Sequence, residues 1–400
     1  MKKRFAFGFA ALLGAAILFG ACSSGDSNTV VPVPLPIVVS EKIPDLVTSS
    51  NYTPTNSWGN GWNLGNTFDA NSCGDKDNKG LDVEVSWGMP KTTQDMINAV
   101  AAKGFKTIRI PVSWHNHITE ESNHKIDPDW LARVKTVVDW SFAADMKVII
   151  NIHHDNLTEA QMSTTYGFCV PENSDSLKAA SKTYIVDIWT QVAESFKDYD
   201  SSLIFELLNE PRAVGTKYEW STPSGMESNV SAANAIIKEY EEAALGVIRS
   251  SGGNNATRYV MVAPYAASPS MMNGWSLPAD SAGKLILSVH AYTPFEFCMG
   301  DSNNSETTFT AAHKKNIEDW LFALLDRDFV SKSVPVIIGE TSASDKNNYA
   351  ERVKWAKCFF GAAKSKGITC ILWDNMVVYP NGNDIAERHG YFNRKNLSWF

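Results

Sequence analysis

Glu210 closes the run "LIFELLNEPR" (203–212), and Glu340 closes "VPVIIGE" (334–340). Asn209 and Pro211 are strand stoppers, and one Glu beside them could simply be solvated or ion-paired. Two such carboxylates facing each other can do more. One donates a proton while the other attacks or activates water, the pairing that cleaves a glycosidic bond. At about 5 Å the second carboxylate attacks directly and configuration is retained; a wider gap admits water and inverts. Other chemistry-bearing residues fall at the ends of apolar runs: Asn66, Arg109, His153, His154, His290, Tyr292 and Trp373. Arg109, His153 and His154 suit keeping a nucleophile ionised, and Asn209 suits bonding a sugar 2-hydroxyl. Trp373 offers an indole face on which sugar C–H groups stack. Trp87, Trp114, Trp220, Trp275 and Tyr379 are further candidates for lining a cleft.

The elements that must position these residues alternate regularly. "WGNGWNLGNT" (58–67), "TIRIPV" (107–112), "KVIINIHH" (147–154) and "LIFELLNEP" (203–211) are short apolar runs with polar tips. "RYVMVAP" (258–264), "KLILSVHAY" (284–292), "VPVIIGE" and "ITCILWD" (368–374) continue the series. Between them lie helical or loop segments. One stretches from about Thr92 to Gly104; another starts on the cap Asp127 with Pro128 in its first turn; a third carries Ile185, Ile188, Val192 and Phe196 on one face. Near-continuous apolar strands separated by helices predict a parallel sheet covered on its outer face. Eight such units predict a closed (β/α)8 TIM barrel in a single catalytic domain, residues 57–400. An open doubly wound sheet would carry a GxGxxG loop after its first strand, and that loop is absent. In a barrel the strand tips converge on one face, so the polar tips form a ring around one mouth.

Within that ring the roles divide by charge. An acid must hold its proton near neutral pH, which a neighbouring ionised carboxylate promotes. Once the nucleophile becomes an ester its charge is gone, and the acid can turn base for the second step. "WNLGNTFDA", "TIRIPVSW", "VIINIHHD", "LLNEPR", "SVHAYTPF", "VIIGE" and "LWDN" together resemble glycoside hydrolase family 5, and are most similar to its bacterial endo-β-1,4-glucanase branch, subfamily 4. The resemblance runs from about Trp58 to near Asn396. It implies a retaining mechanism with Glu210 as acid/base and Glu340 as nucleophile. It also implies a catalytic subsite lined by Asn66, Arg109, His153, His154, Asn209, His290, Tyr292 and Trp373, with no metal or cofactor. Family members usually carry a final helix after the segment corresponding to "FNRKNLSWF", and this chain ends there at Phe400. That departure leads us to expect less support beneath the last and first strands.

Composition narrows the remaining readings. A net charge of −8, with no Lys/Arg cluster beyond the N-terminus, argues against nucleic acid. Lys2, Lys3 and Arg4 precede an apolar run, Phe5 to Ala21, that ends in small residues before Cys22. "LFGAC" resembles a bacterial lipoprotein signal, with Cys22 lipidated, although Phe19 stands where Leu is usual. An uncleaved anchor and an ordinary secretory signal are the alternatives. Residues 22–56, with "VVPVPLPIVV", read as a stiff, extended tether, so the expectation is a lipid-anchored cell-surface or periplasmic monomer. Five further cysteines leave an odd thiol; Cys169 and Cys298, in loops after strands three and six, are the expected bridge across the cleft rim. "HHD" at 153–155 could serve a metal hydrolase, but the other strand ends offer Arg, Asn and Glu rather than further ligands. Expected substrates are β-glucans: cellulose, xyloglucan or mixed-linkage glucan. Mannanase and xylanase are alternatives within the enzyme class, and a non-catalytic glycan-binding or scaffolding lipoprotein is the reading outside it.

Overall fold

The computed structural model describes residues 58–300, 304–382 and 384–400. The signal (1–21) and tether (22–56) expected from the sequence, Cys22 included, lie outside the described residues. Eight parallel strands close into a barrel in chain order. They are β1 (Gly61–Asn63), β2 (Thr107–Ile110), β3 (Lys147–Asn151), β4 (Leu203–Glu206), β5 (Val260–Val262), β6 (Leu285–His290), β7 (Val336–Thr341) and β8 (Thr369–Leu372). Closure is direct: Gly61 is in register with Thr107 of β2 on one side and Ile371 of β8 on the other.

The helices around the barrel begin and end where the chain's chemistry says they should. α1 (Gln94–Lys103) starts on Thr93, whose hydroxyl accepts the Met96 N–H, and stops at Gly104 with φ 114°. α2 (Pro128–Ala143) starts on Asp127, whose carboxylate accepts the Asp129 N–H, with Pro128 in the first turn. α3 (Asp175–Phe196) buries Ile185, Ile188, Val192 and Phe196 on one face. α4 (Glu227–Ser250) and α6 (Tyr349–Lys366) are similarly long. Between them α5 runs as Ala311–Lys315, a π-helical stretch Asn316–Phe322, and Ala323–Asp328. The repeat is imperfect twice. From Ala263 to Lys284, between β5 and β6, the chain makes only a short 3-10 turn at Tyr265–Ala267.

After β8 no α-helix follows among the described residues. Phe392–Asn393 and Ser398–Trp399 pair antiparallel there. Phe392 meets Trp62 of β1 edge-on at 6.2 Å, and Trp399 stacks on Phe105 at 5.6 Å. The hairpin covers apolar surface beside β1 that the barrel would otherwise leave open.

The lumen is built in layers by the period-two alternation of the strands. Trp58, Ile149, Ile204, Met261, Ile286, Ile337 and Ile371 form a separate buried cluster that plugs the base. Each such aliphatic side chain contributes roughly 1.5–3 kcal/mol by leaving water. Two residues further along, the same strands present Asn151, Glu206, Ser288 and Gly339, joined by Asn63 of β1 and Arg109 of β2. An apolar floor therefore lies directly beneath a polar layer.

The expected Cys169–Cys298 bridge does not form. All five described cysteines are free thiols. Cys169 is buried against Ser181 Oγ of α3 at 3.7 Å. Cys298, also buried, accepts the Ser344 N–H on its carbonyl at 2.8 Å. Cys169 is held against the helix of its own β/α unit, while Cys298 is bound through its carbonyl to the loop after β7.

Candidate active site

Arg109 organises the mouth of the barrel. Fully buried, its guanidinium donates from Nε to Glu206 Oε2 (2.7 Å) and from Nη2 to Asn209 Oδ1 (2.6 Å). Its Nη1 donates to Asn63 Oδ1 (3.0 Å) and Glu340 Oε1 (2.7 Å). One planar fork thus ties β1, β2, β4 and β7 together, which the point charge of a lysine could not do. Glu206 is further held by Asn151 Nδ2 at 2.9 Å and Ser288 Oγ at 2.7 Å. A side chain at Gly339 would approach His290 Nε2 at 3.1 Å and Glu206 Oε1 at 3.2 Å, so glycine makes room for this layer.

Glu340 takes its second donor from Tyr292, whose hydroxyl is 3.0 Å from Oε2. His153 Nε2 lies 4.0 Å from Oε1. His290 Nδ1 stands between the two carboxylates, 2.8 Å from Glu210 Oε1 and 3.7 Å from Glu340 Oε2. Oxygens of Glu210 and Glu340 lie within 4.8 Å of each other. Trp373 lies parallel to the His153 ring, centroids 6.0 Å apart. It can settle there because Gly65 has no Cβ: one would come within 2.9 Å of the indole.

Residues 69–377 match the family profile described as "Cellulase (glycosyl hydrolase family 5)". The chain belongs to glycosyl hydrolase family 5. Among its relatives, Endoglucanase A of Clostridium longisporum is 40% identical over 86% of this chain, which spans 62% of that protein's length. Endoglucanase B of Ruminococcus albus is 38% identical, covering 90% of this chain and 82% of its own. The family 5 lichenase of Caldicellulosiruptor sp. F32, solved as a mutant in complex with cellotetraose, superposes with a TM-score of 0.78 at 38% identity. That match covers 90% of this chain and 93% of the lichenase. A GH5-4 broad specificity endoglucanase from Ruminococcus champanellensis with bound cellotriose gives 0.76 at 34% identity, over 90% and 97% of the two chains.

In this family 5 chain the charges around the two carboxylates are unequal. Burial raises the Glu340 carboxyl, and the Glu210 charge adds to that, against the fields of His290 and Arg109. At Glu210 burial is outweighed by the bond and charge of His290, with Arg212 assisting, and the carboxyl sits below its ordinary value. Burial opposes charge on His290, but Glu340 and Glu210 hold its pKa above the usual range. His290 Nδ1 is one hydrogen bond, 2.8 Å, from Glu210 Oε1. His153 and His154 are held neutral, chiefly by burial, His154 with a pKa of about 4.

Of the residues singled out in the sequence, Arg109, Asn209, Tyr292 and Glu340 form one hydrogen-bonded set and His290 with Glu210 another beside it, with His153 and Trp373 close by. His154 packs against His153 at 4.4 Å and Trp87 at 5.7 Å. Asn66 stands apart, with φ 56° and its backbone N–H donated to Asp69 Oδ2. Trp114 faces inward, 1% exposed, its indole N–H on Asn151 O. Trp275 packs against Phe329, while Trp220 lies under Arg212 at 3.9 Å and is 54% exposed.

Asp69, His153 and His154 also place one ligand-type atom each within 4.8 Å of one another. Both Asp69 oxygens already accept backbone N–H groups, from Thr67 at 2.6 Å and Asn66 at 2.9 Å. His153 Nδ1 likewise contacts the Asn151 amide at 3.1 Å. These groups are engaged in fixing the loop after β1 and the end of β3.

The sequence reading passed over Asn63, Asn151, Glu206 and Ser288. The signal was there in "LIFELL": a charged residue in the middle of an otherwise apolar strand must find a buried counter-charge.

Proposed function

We propose that this chain is a retaining endo-β-1,4-glucanase in which Glu210 is the acid/base and Glu340 the nucleophile. The observation that carries the reading is the approach of the two carboxylates to within 4.8 Å, the short spacing suited to direct attack rather than to an intervening water. In the first step Glu340 Oε2 or Oε1 attacks the anomeric carbon while Glu210 protonates the departing glycosidic oxygen. The proton reaches Glu210 from His290 Nδ1 across 2.8 Å. Arg109 and Tyr292 fix the attacking carboxylate through their bonds to its two oxygens. Because Asn209 Oδ1 is already taken by Arg109, its amide N–H groups are left to donate to a sugar hydroxyl. In the second step the Glu210 carboxylate takes a proton from water, which attacks the same carbon and frees Glu340.

Relatives named as lichenase, xyloglucan-specific endo-β-1,4-glucanase and broad specificity endoglucanase support a β-glucan substrate. Purified enzyme is expected to release reducing ends from carboxymethylcellulose, mixed-linkage glucan and xyloglucan faster than from mannan or xylan. Fastest release from mannan or xylan would overturn the substrate assignment, and no release from any of them would favour a purely glycan-binding protein. We also propose, on the sequence of residues 1–56 alone, that Cys22 is lipidated and tethers a monomeric enzyme at a bacterial cell surface. Incorporation of labelled fatty acid, lost in Cys22→Ser, is the expected result; label-free, freely secreted protein would refute it.

A further inference from the structure

Arg394 directly follows the first strand of the C-terminal hairpin, yet its buried guanidinium reaches the loops at the barrel mouth. Nη1 donates to Gly65 O at 2.7 Å and to Thr67 Oγ1 at 2.9 Å, and Nη2 donates to Asp374 O. A buried arginine is ordinarily spent on a carboxylate. Here Nη2 lies 3.9 Å from Asp374 Oδ1, a loose pair, and the close bonds go to the backbone of two loops, after β1 and after β8. The Asp374 carboxylate is filled by other donors: Trp62 Nε1 at 2.9 Å, and the Phe392 and Met376 N–H groups at 2.8 Å each.

The two loops that Arg394 joins are those that enclose the Trp373 indole. The Gly65 N–H donates to Asp374 O at 3.2 Å, and Trp373 immediately precedes Asp374. A Cβ on Gly65 would come within 2.8 Å of Asp374 O and 2.9 Å of the Trp373 ring. The spacing of the loops therefore sets where the indole rests, and Arg394 grips a carbonyl on each side. Its guanidinium also packs over the Trp62 ring at 5.0 Å, which fixes the plane of the fork. A lysine would bring a point charge and could not hold both carbonyls in one plane.

We infer that Arg394 is a positioning residue for glucan hydrolysis, fixing the Trp373 indole by clamping the carbonyls of Gly65 and Asp374. The inference rests on the glucanase reading above, with Trp373 as the face on which the reacting sugar stacks. Trp373 lies parallel to His153, and His153 Nε2 is 4.0 Å from Glu340 Oε1, so the indole sets the sugar's height relative to the attacking oxygen. The hydrogen bonds of Arg394 go to Gly65, Thr67 and Asp374, so it acts through this platform and not on the carboxylates. With the clamp open the sugar loses its alignment, and a displacement of about 1 Å costs up to about 100-fold in rate. The C-terminal hairpin thus serves the mouth of the barrel as well as covering β1.

Arg394→Met and Arg394→Lys in the full chain test this through two readouts. Hydroxyl-radical footprinting with peptide mass spectrometry needs no substrate. Oxidation of Trp373 should rise at least about threefold in the folded variants, while that of Trp189, buried on α3, stays as in the parent. On a soluble glucan, Arg394→Met should lower kcat/KM about tenfold or more. In a Trp373→Ala background the same substitution should cost less than about twofold, because the platform it serves is gone. Arg394→Lys, which keeps the charge but not the fork, should show the same pattern to a smaller degree, and it decides alone if Arg394→Met does not fold. An unchanged Trp373 footprint in the folded variants, or the full loss repeated in the Trp373→Ala background, overturns the inference. If Trp373→Ala hydrolyses glucan as fast as the parent, the stacking role in the glucanase reading fails instead, and the footprint alone decides whether Arg394 holds the indole.

Discussion

His290 Nδ1 lies 2.8 Å from Glu210 Oε1 and 3.7 Å from Glu340 Oε2, so one imidazole nitrogen faces two carboxylates. Its charge lowers the Glu210 carboxyl and partly offsets the burial that raises Glu340. The ring's own pKa is raised, by Glu340 and Glu210 against burial.

Replacing His290 by Gln keeps a polar side chain and removes that charge. Both carboxyls should then hold protons to higher pH. The acid limb of kcat/KM, where Glu340 must be ionised, is expected to move to higher pH, with activity at the optimum falling about 100-fold. Initial rates on a soluble glucan across the pH range provide the check. An unmoved acid limb would show that His290 does not set the charge of the pair.

Glu210→Ala should slow natural glucan far more than an aryl glycoside with a good leaving group, because only the poor leaving group needs protonation. The expected gap is about 100-fold or more. External azide should restore the second step and yield a β-azide product. Equal losses on both substrates, without azide rescue, would assign the acid/base role elsewhere.

His117 makes a stability prediction. Its ring stacks on Trp130 with centroids 3.6 Å apart, and neither ring nitrogen has a hydrogen-bond partner. Burial pushes its pKa down to about 3, and that of His389 likewise to about 3. The unfolded chain protonates both rings below about pH 6.5, so between pH 6.5 and 3 it binds more protons than the folded protein. Stability therefore falls on acidification through that window, by about 1.4 kcal/mol per unit for each ring. His115 behaves oppositely: its contribution is complete below about pH 6.5 and is lost as pH rises through about 9. His117→Phe should stabilise the fold by about 1 kcal/mol at pH 8 and by about 2 kcal/mol more at pH 5. Urea unfolding at the two pH values measures this; an equal effect at both would mean that His117 is not buried neutral.

The barrel was legible because eight apolar runs with polar tips recur, and period-two burial leaves few other ways to cover them. Strand ends were less so. β4 stops at Glu206, so Glu210 belongs to the loop four residues beyond, whereas Glu340 lies within β7. The ring of polar tips was visible one residue at a time; the layer beneath it was not. Which side chain opposes Glu206 depends on barrel closure, which brings Arg109, 97 residues away in the chain, to within 2.7 Å. The cysteines misled for the complementary reason: loop position alone does not show that Cys169 turns into α3 while Cys298 is buried against the loop after β7. Nor do spacing rules reveal that the chain after β8 folds back as a hairpin onto Trp62 and Phe105.

The central claim is that Glu340 attacks the sugar. A slow mechanism-based inhibitor that accumulates the glycosyl-enzyme, followed by peptide mass spectrometry, tests it most directly. The account predicts the added mass on the peptide containing "IIGE", at Glu340, with retained configuration in the product of normal turnover. An adduct on Glu210, or no adduct together with an inverted anomer, would contradict it.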